Sequence, residues 1–199
     1  MLWFRNLQSY RLAADHGLSP DTIAAALEKK PFLPCGSQDL FSQGWVPPAS
    51  HMPDLYAVSS QGAVLVCLKT EEKLLPAAVV RQQADERIAR IETEEGRKVG
   101  KRETREIREN ITQELLPRAF VKNSRQRALI DLENNWVWVE AGSASKAENL
   151  LSALRETIGS LPTRLPDTQT TPQTAMTHWL EDEPPAEFAL DKIGRGSWR

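Results

Sequence analysis

No apolar run in this sequence approaches the roughly 18 residues that a membrane helix needs. The start, MLWFRNLQSYRL, lacks a basic segment followed by a long apolar one, so it is not read as a secretory signal. There are only two cysteines, Cys35 and Cys67, too few for a disulfide framework and without the spacing of a zinc site. The three histidines, His16, His51 and His178, fall in loop-like or terminal segments with no triad or ligand spacing. A soluble cytoplasmic protein without metal or cofactor is the expectation. Two local absences say more. No proline lies between Pro76 and Pro117, and no acid lies between Arg118 and Arg127.

Forty per cent of the 199 residues are hydrophobic, enough for a real core. The formal charge is -2, but its distribution matters more than its total. Residues 81–127 hold 13 Lys+Arg and 9 Asp+Glu, a net of +4; the remainder holds 12 and 18, a net of -6. Positive charge is therefore gathered in the middle of the chain.

The segment LWFRNLQSYRL reads as a strand. Ser19, Pro20 and Asp21 open a helix whose buried stripe is Ile23, Ala24 and Leu27. PCGSQDLFSQGWVPPASHMPD reads as a loop, and LYAVSSQGAVLVCLKTEEKLLP as a hairpin turning at SSQG, with Cys67 a small buried residue. RALIDL and NWVWVEA read as strands joined at ENN, the second apolar on both faces and so expected to be covered on both. Leu150, Leu151, Leu154 and Ile158 mark a helix that stops at Gly159. PTRLPDTQTTPQTA reads as linker, TAMTHWLEDE as one short helix, and the last residues as no defined element.

Between the prolines, Val80, Ala84, Ile88 and Ile91 step at helical spacing, as do Ile107, Ile111 and Leu115. Gly96 and Gly100 fall between the two stripes, which predicts an antiparallel helical hairpin. Pairs such as Arg102–Glu106 and Arg105–Glu109 would stabilise it by about 0.2–0.5 kcal/mol each. Arg97, Lys98, Lys101 and Arg102 crowd its turn, while Arg118, Lys122, Arg125 and Arg127 follow its exit. These eight are the candidate phosphate contacts; a solvated, self-paired surface is the competing reading. No base-reading helix motif is present, so nucleic-acid binding would be sequence-independent.

The fold class expected is α+β: an antiparallel sheet with packed helices and a projecting charged hairpin. The expected divisions are a discontinuous central domain (1–75 and 118–165), a tip domain (76–117), and a linker leading into a further domain (166–199).

Four segments, in this order, resemble the RdgC family of bacterial recombination-associated proteins: MLWFRNLQSYRL, PCGSQDLFSQGWVPP at 34–48, EEKLLPAAVV leading to LLPRAF at 115–120, and GSLP at 159–162. The resemblance runs from Met1 to about Leu180. It implies a nucleoid-associated protein that binds double-stranded DNA without strong sequence preference. It implies a ring-shaped homodimer, joined head-to-head and tail-to-tail around a basic hole, that coats DNA and limits access of the RecA recombinase. No catalytic activity is implied. Phe120 of LLPRAF would enter a pocket of the partner at one dimer contact, with Arg118 and Lys122 beside it; from its residues alone Phe120 reads equally as a core aromatic. Family chains continue beyond the place where DKIGRGSWR ends this one, so the chain reads as C-terminally truncated and ring closure is not expected of it.

Two other classes remain. An enzyme would draw on Cys35, Ser37 and Asp39, but no histidine is spaced to serve them, and a structural turn is the simpler account. A protein-interaction module would use the hairpin stripe to dock a partner helix, and its binding would survive high salt.

Overall fold

The computed structural model describes residues 4–181. Seven antiparallel strands form one sheet, and the helices pack on it or leave it. The strands are β1 (Gln8–Leu12), β2 (Phe41–Val46), β3 (Ala57–Ser60), β4 (Ala63–Leu74), β5 (Phe120–Asp131), β6 (Trp136–Val139) and β7 (Thr163–Arg164). Their order is β2-β4-β5-β6-β1-β7, with β3 also beside β4. The helices are α1 (Pro20–Glu28), α2 (Ala77–Glu95), α3 (Lys101–Leu115), α4 (Ala144–Ile158) and α5 (Pro172–Glu181). The expected α+β class, with its antiparallel sheet and charged hairpin, is what the structure has.

Strand alternation divides the sheet into two faces. On one, Tyr10, Trp45, Val64, Val66, Leu68, Ala128, Ile130, Val137 and Val139 are buried under α1 and α4. Helix α1 starts where the Ser19–Pro20 signal places it: the Thr22 amide donates to Ser19 Oγ and the Ser19 amide to Thr22 Oγ1. It buries Ile23 and Leu27, while Ala24 stays half-exposed. Helix α4 is capped by Ser143 and buries Leu150, Leu151 and Leu154. Trp45 Nε1 donates to Thr157 Oγ1 at 2.9 Å, so this buried indole keeps its hydrogen bond.

The hairpin has a small core of its own: Ala84, Ile107 and Ile111 are buried, with Val80, Ile88, Ile91, Val99 and Leu115 packed around them. Gly96 ends α2 in the left-handed region at φ 64, where a glycine is favoured. The Val99 amide donates to Glu92 Oε1 at 2.9 Å and closes the turn. The 19 residues of α2 run roughly 28 Å.

Several expectations need correction. The segment 34–48 is not all loop, because β2 lies in it and its Trp45 is core. The strand read at RALIDL begins seven residues earlier, at Phe120; pairing with β4 along its whole length overrides the polar composition of its first half. The proline- and threonine-rich stretch contributes β7. The first strand is shorter than read, starting at Gln8. Trp136 and Trp138 are half-exposed, so β6 is fully covered only on its valine face. Cys67 is buried as expected, and burial pushes its thiol pKa up. The SSQG turn and the ENN turn are where they were read, with Gln61, Gly62 and Asn135 at positive φ.

The chain divides into two compact units at Arg164/Leu165. In the second, α5 begins at Pro172, and Thr171 Oγ1 accepts from the Thr174 amide at 3.1 Å. The helix read at 174–183 thus starts two residues earlier; residues 182–199, including the DKIGRGSWR end, lie outside the described residues.

Candidate nucleic-acid interface

The hairpin tip is less free than its composition suggests. The Arg97 guanidinium grips Glu103 through two hydrogen bonds of 2.7 Å and also reaches Glu95. These bonds, to Glu103 first, raise the Arg97 pKa further and hold the Glu103 carboxyl below its usual range. Arg102 donates to Glu106 at 2.9 Å. Both arginines are exposed, so these pairs are worth little to stability, but each leaves its cation partly neutralised. Lys98 and Lys101 are exposed and have no ion pair among the described residues.

The second cluster does not form one patch. Register with β4 places Lys122 opposite Glu72, on the same face as the helices, and Arg125 opposite Lys69, on the other face. Arg127, also on that other face, donates to Glu140 Oε2 at 2.8 Å and lies over Phe4, 5.7 Å from the ring centroid. Arg118 sits in the 3₁₀ turn before β5, exposed and without an ion pair among the described residues. Of the eight expected contacts, Arg97, Arg102 and Arg127 are taken by carboxylates. Lys98, Lys101, Arg118, Lys122 and Arg125 are not. Helix α3 separates the tip pair from the rest by roughly 20 Å.

Phe120 is 84% exposed, which overturns its reading as a core aromatic. It stands opposite Leu74, and Leu40, Phe41, Val79 and Val121 are exposed near this end of the sheet. Alternation puts Val121 on the sheet face opposite Phe120, so these side chains are exposed at one end of the sheet without all lying on one surface. A cavity of about 330 Å³ lies alongside, lined by Leu40, Leu75, Ala77 and Val80 with Arg81 and Arg108.

The loop of the enzyme reading is held as structure. Lys73, 8% exposed, donates to the Gly36 and Ser37 carbonyl oxygens at 2.6 Å each. The Gly36 amide donates to Asp39 Oδ2 at 2.8 Å, and Cys35 Sγ contacts the Glu71 carbonyl oxygen at 3.4 Å. Burial, then Glu71, raises the Cys35 pKa, which works against a thiolate nucleophile. Among the described residues no three His, Cys, Asp or Glu side chains converge as a metal site, and no helix is long and apolar enough to cross a membrane.

Sequence reasoning missed Lys69, Phe32 and β2 altogether. Lys69 sits 4.0 Å from the Phe32 ring centroid. Only strand register brings it opposite Arg125, and no sequence spacing encodes that register.

A family model described as "Putative exonuclease, RdgC" matches residues 2–193. The chain is 45% identical over 190 residues to a recombination-associated protein RdgC of Laribacter hongkongensis. It is 42% identical over 191 residues to that of Psychromonas ingrahamii and 41% over 192 to that of Sodalis glossinidius. Each match covers 96% of this chain and 63% of the relative, so the chain spans less than two thirds of their length.

Proposed function

The chain belongs to the RdgC family, whose curated relatives are named recombination-associated proteins, and from that premise we propose that it binds double-stranded DNA without sequence preference. The observation that carries this reading is the set of five exposed cations left without carboxylate partners, at the hairpin tip and around the start of β5. Cations on two supports roughly 20 Å apart suit a repeating phosphate backbone better than a compact ligand. By occupying duplex DNA, such a protein limits access of the RecA recombinase and resides with the nucleoid.

Assembly follows from the apolar side chains exposed at the start of β5. Phe120 is a free aromatic knob, and the cavity beside Leu75 is a matching hole on the same copy. A knob and hole on one surface are what a two-fold, self-complementary interface requires. Apolar cavities near 150 Å³ already admit a benzene, so 330 Å³ accommodates the ring. We assign Phe120 to a homodimer contact on this basis.

The family description mentions an exonuclease; we propose a binding protein without catalysis. Mobility shift on two unrelated duplexes at low salt tests both points. Equal shifts, with full-length DNA recovered after incubation with Mg²⁺, are expected. Absence of any shift would sink duplex binding, and shortened DNA would restore the enzyme reading. A protein-docking module is the second reading, favoured by the exposed Phe120, Leu40 and Val79; it predicts association that persists at high salt.

A further inference from the structure

A buried acceptor on β2 is left without a donor. Alternation puts Gln43 on the same sheet face as Trp45, the face that lies under α1 and α4. Its Oε1 is shut off from solvent and has no hydrogen-bond partner among the described residues. Such an atom has lost its hydration without compensation, which is destabilising. Donors that line the same cavity are engaged elsewhere. The Trp45 indole donates to Thr157 Oγ1, and the Thr157 hydroxyl donates in turn to the Ala153 carbonyl oxygen at 2.7 Å.

Gln43 lines a cavity of about 340 Å³ between β2 and the ends of α1 and α4, within the size range of small-ligand sites. Buried Trp45, Leu68 and Ala153 give it an apolar wall. Exposed Lys29, Lys30 and Glu156 form its rim. Lys30 Nζ donates to the Glu156 carbonyl oxygen at 3.0 Å and ties the end of α1 to α4. Lys29 and the Glu156 carboxylate have no ion pair among the described residues. Helices α1 and α4 both end beside the cavity, so the negative ends of two helix dipoles border it. The orphan acceptor and the helix ends favour a positively charged donor inside. The two lysines favour an anionic group at the rim.

We propose that this cavity binds a free α-amino acid with an apolar side chain. The ligand ammonium donates to Gln43 Oε1, its carboxylate meets Lys29 and Lys30, and its side chain lies against Trp45 and Leu68. A wholly apolar ligand leaves the acceptor orphaned. A simple amine is repelled by the lysines, and a simple carboxylate has no proton to donate. A zwitterion with an apolar side chain meets all three demands. The proposal does not rest on DNA binding.

The test is isothermal titration of the whole chain with leucine, methionine, phenylalanine, lysine and glutamate. Isoamylamine and isocaproate, the amine and acid counterparts of leucine, are titrated beside them. At least one apolar amino acid is expected to bind with a millimolar or lower dissociation constant, about tenfold tighter than lysine, glutamate or either counterpart. Gln43→Leu roughly keeps the volume of the side chain and removes the acceptor. It should weaken binding by about tenfold or more, the loss of a hydrogen bond to a charged group. The unliganded variant should melt no lower than the wild type, because its orphan acceptor is gone. Lys29→Gln, at the exposed rim, should weaken binding by about threefold, and by less as salt is raised. No binding of any apolar amino acid at about 10 mM would overturn the proposal. So would unchanged affinity in Gln43→Leu, or isoamylamine binding as well as leucine. Should Gln43→Leu not fold, unchanged affinity in Lys29→Gln would overturn it instead.

Discussion

Replacing Phe120 by Ala separates two accounts of one side chain. The ring is 84% exposed, so the folded chain makes little use of it. Its removal should leave the stability of the chain within about 0.5 kcal/mol, the range of ordinary surface changes. In a two-fold dimer the ring is buried twice. Burying one Phe side chain contributes about 1.5–3 kcal/mol, so two copies contribute about 3–6 kcal/mol to association. At 1.4 kcal/mol per factor of ten, the dimer dissociation constant should rise at least about 100-fold. Sedimentation velocity over a concentration series reads this shift, and a thermal melt of the same samples reads stability. A monomeric wild type at high concentration, or a variant that dimerises as before, would refute the knob-and-hole contact. A melting temperature that drops by many degrees while the mass stays constant would return Phe120 to the core.

Other consequences follow from local geometry. A Cβ at Gly44 would lie 2.4 Å from Phe32 Cα, a backbone atom that cannot swing away; Gly44→Ala should cost about 1–3 kcal/mol, read as a lowered denaturation midpoint. Ile111 is buried in the small hairpin core. Ile111→Ala should cost about 2–5 kcal/mol there and reduce far-UV helical ellipticity before the sheet core melts; simultaneous loss of both would show the hairpin is not held by its own core. Burial raises the Asp131 carboxyl pKa, but hydrogen bonds from Asn134 outweigh it and hold the group below its ordinary value. The depressed pKa means its stabilisation is present above about pH 4 and is lost as pH falls further. Asp131→Asn should therefore flatten the acid limb of a stability–pH curve, and an unchanged limb would count against this role.

Much of the fold was legible because local signals agreed with packing. Ser19, Pro20 and the Ile23/Leu27 stripe located α1, and the paired stripes around Gly96 and Gly100 located the hairpin. What was hidden depended on partners distant in sequence. The first half of β5 is polar and exposed on both faces, and it is a strand because β4 pairs with it from Ala63 to Leu74. Trp45 looked like part of a loop, since nothing nearby shows that Thr157 accepts its indole proton. At the interface, clustering in sequence misled: alternation sent Lys122 and Arg125 to opposite faces, and neighbouring acids claimed Arg97 and Arg102. The like-charged Lys69–Arg125 and Arg11–Arg164 pairs exist only through register.

Duplex affinity measured against salt concentration tests the central claim most directly. Each neutralised phosphate contributes about -0.9 to the slope of log K against log salt. Lys122 and Arg125 lie on opposite faces of the sheet, so at most four of the five unpaired cations meet one duplex and the slope should be about -3 to -4, the same on unrelated sequences and reduced by about two when Lys98 and Lys101 are both changed to Gln. A slope near zero, or no binding at about 50 mM salt, would contradict DNA binding through these side chains.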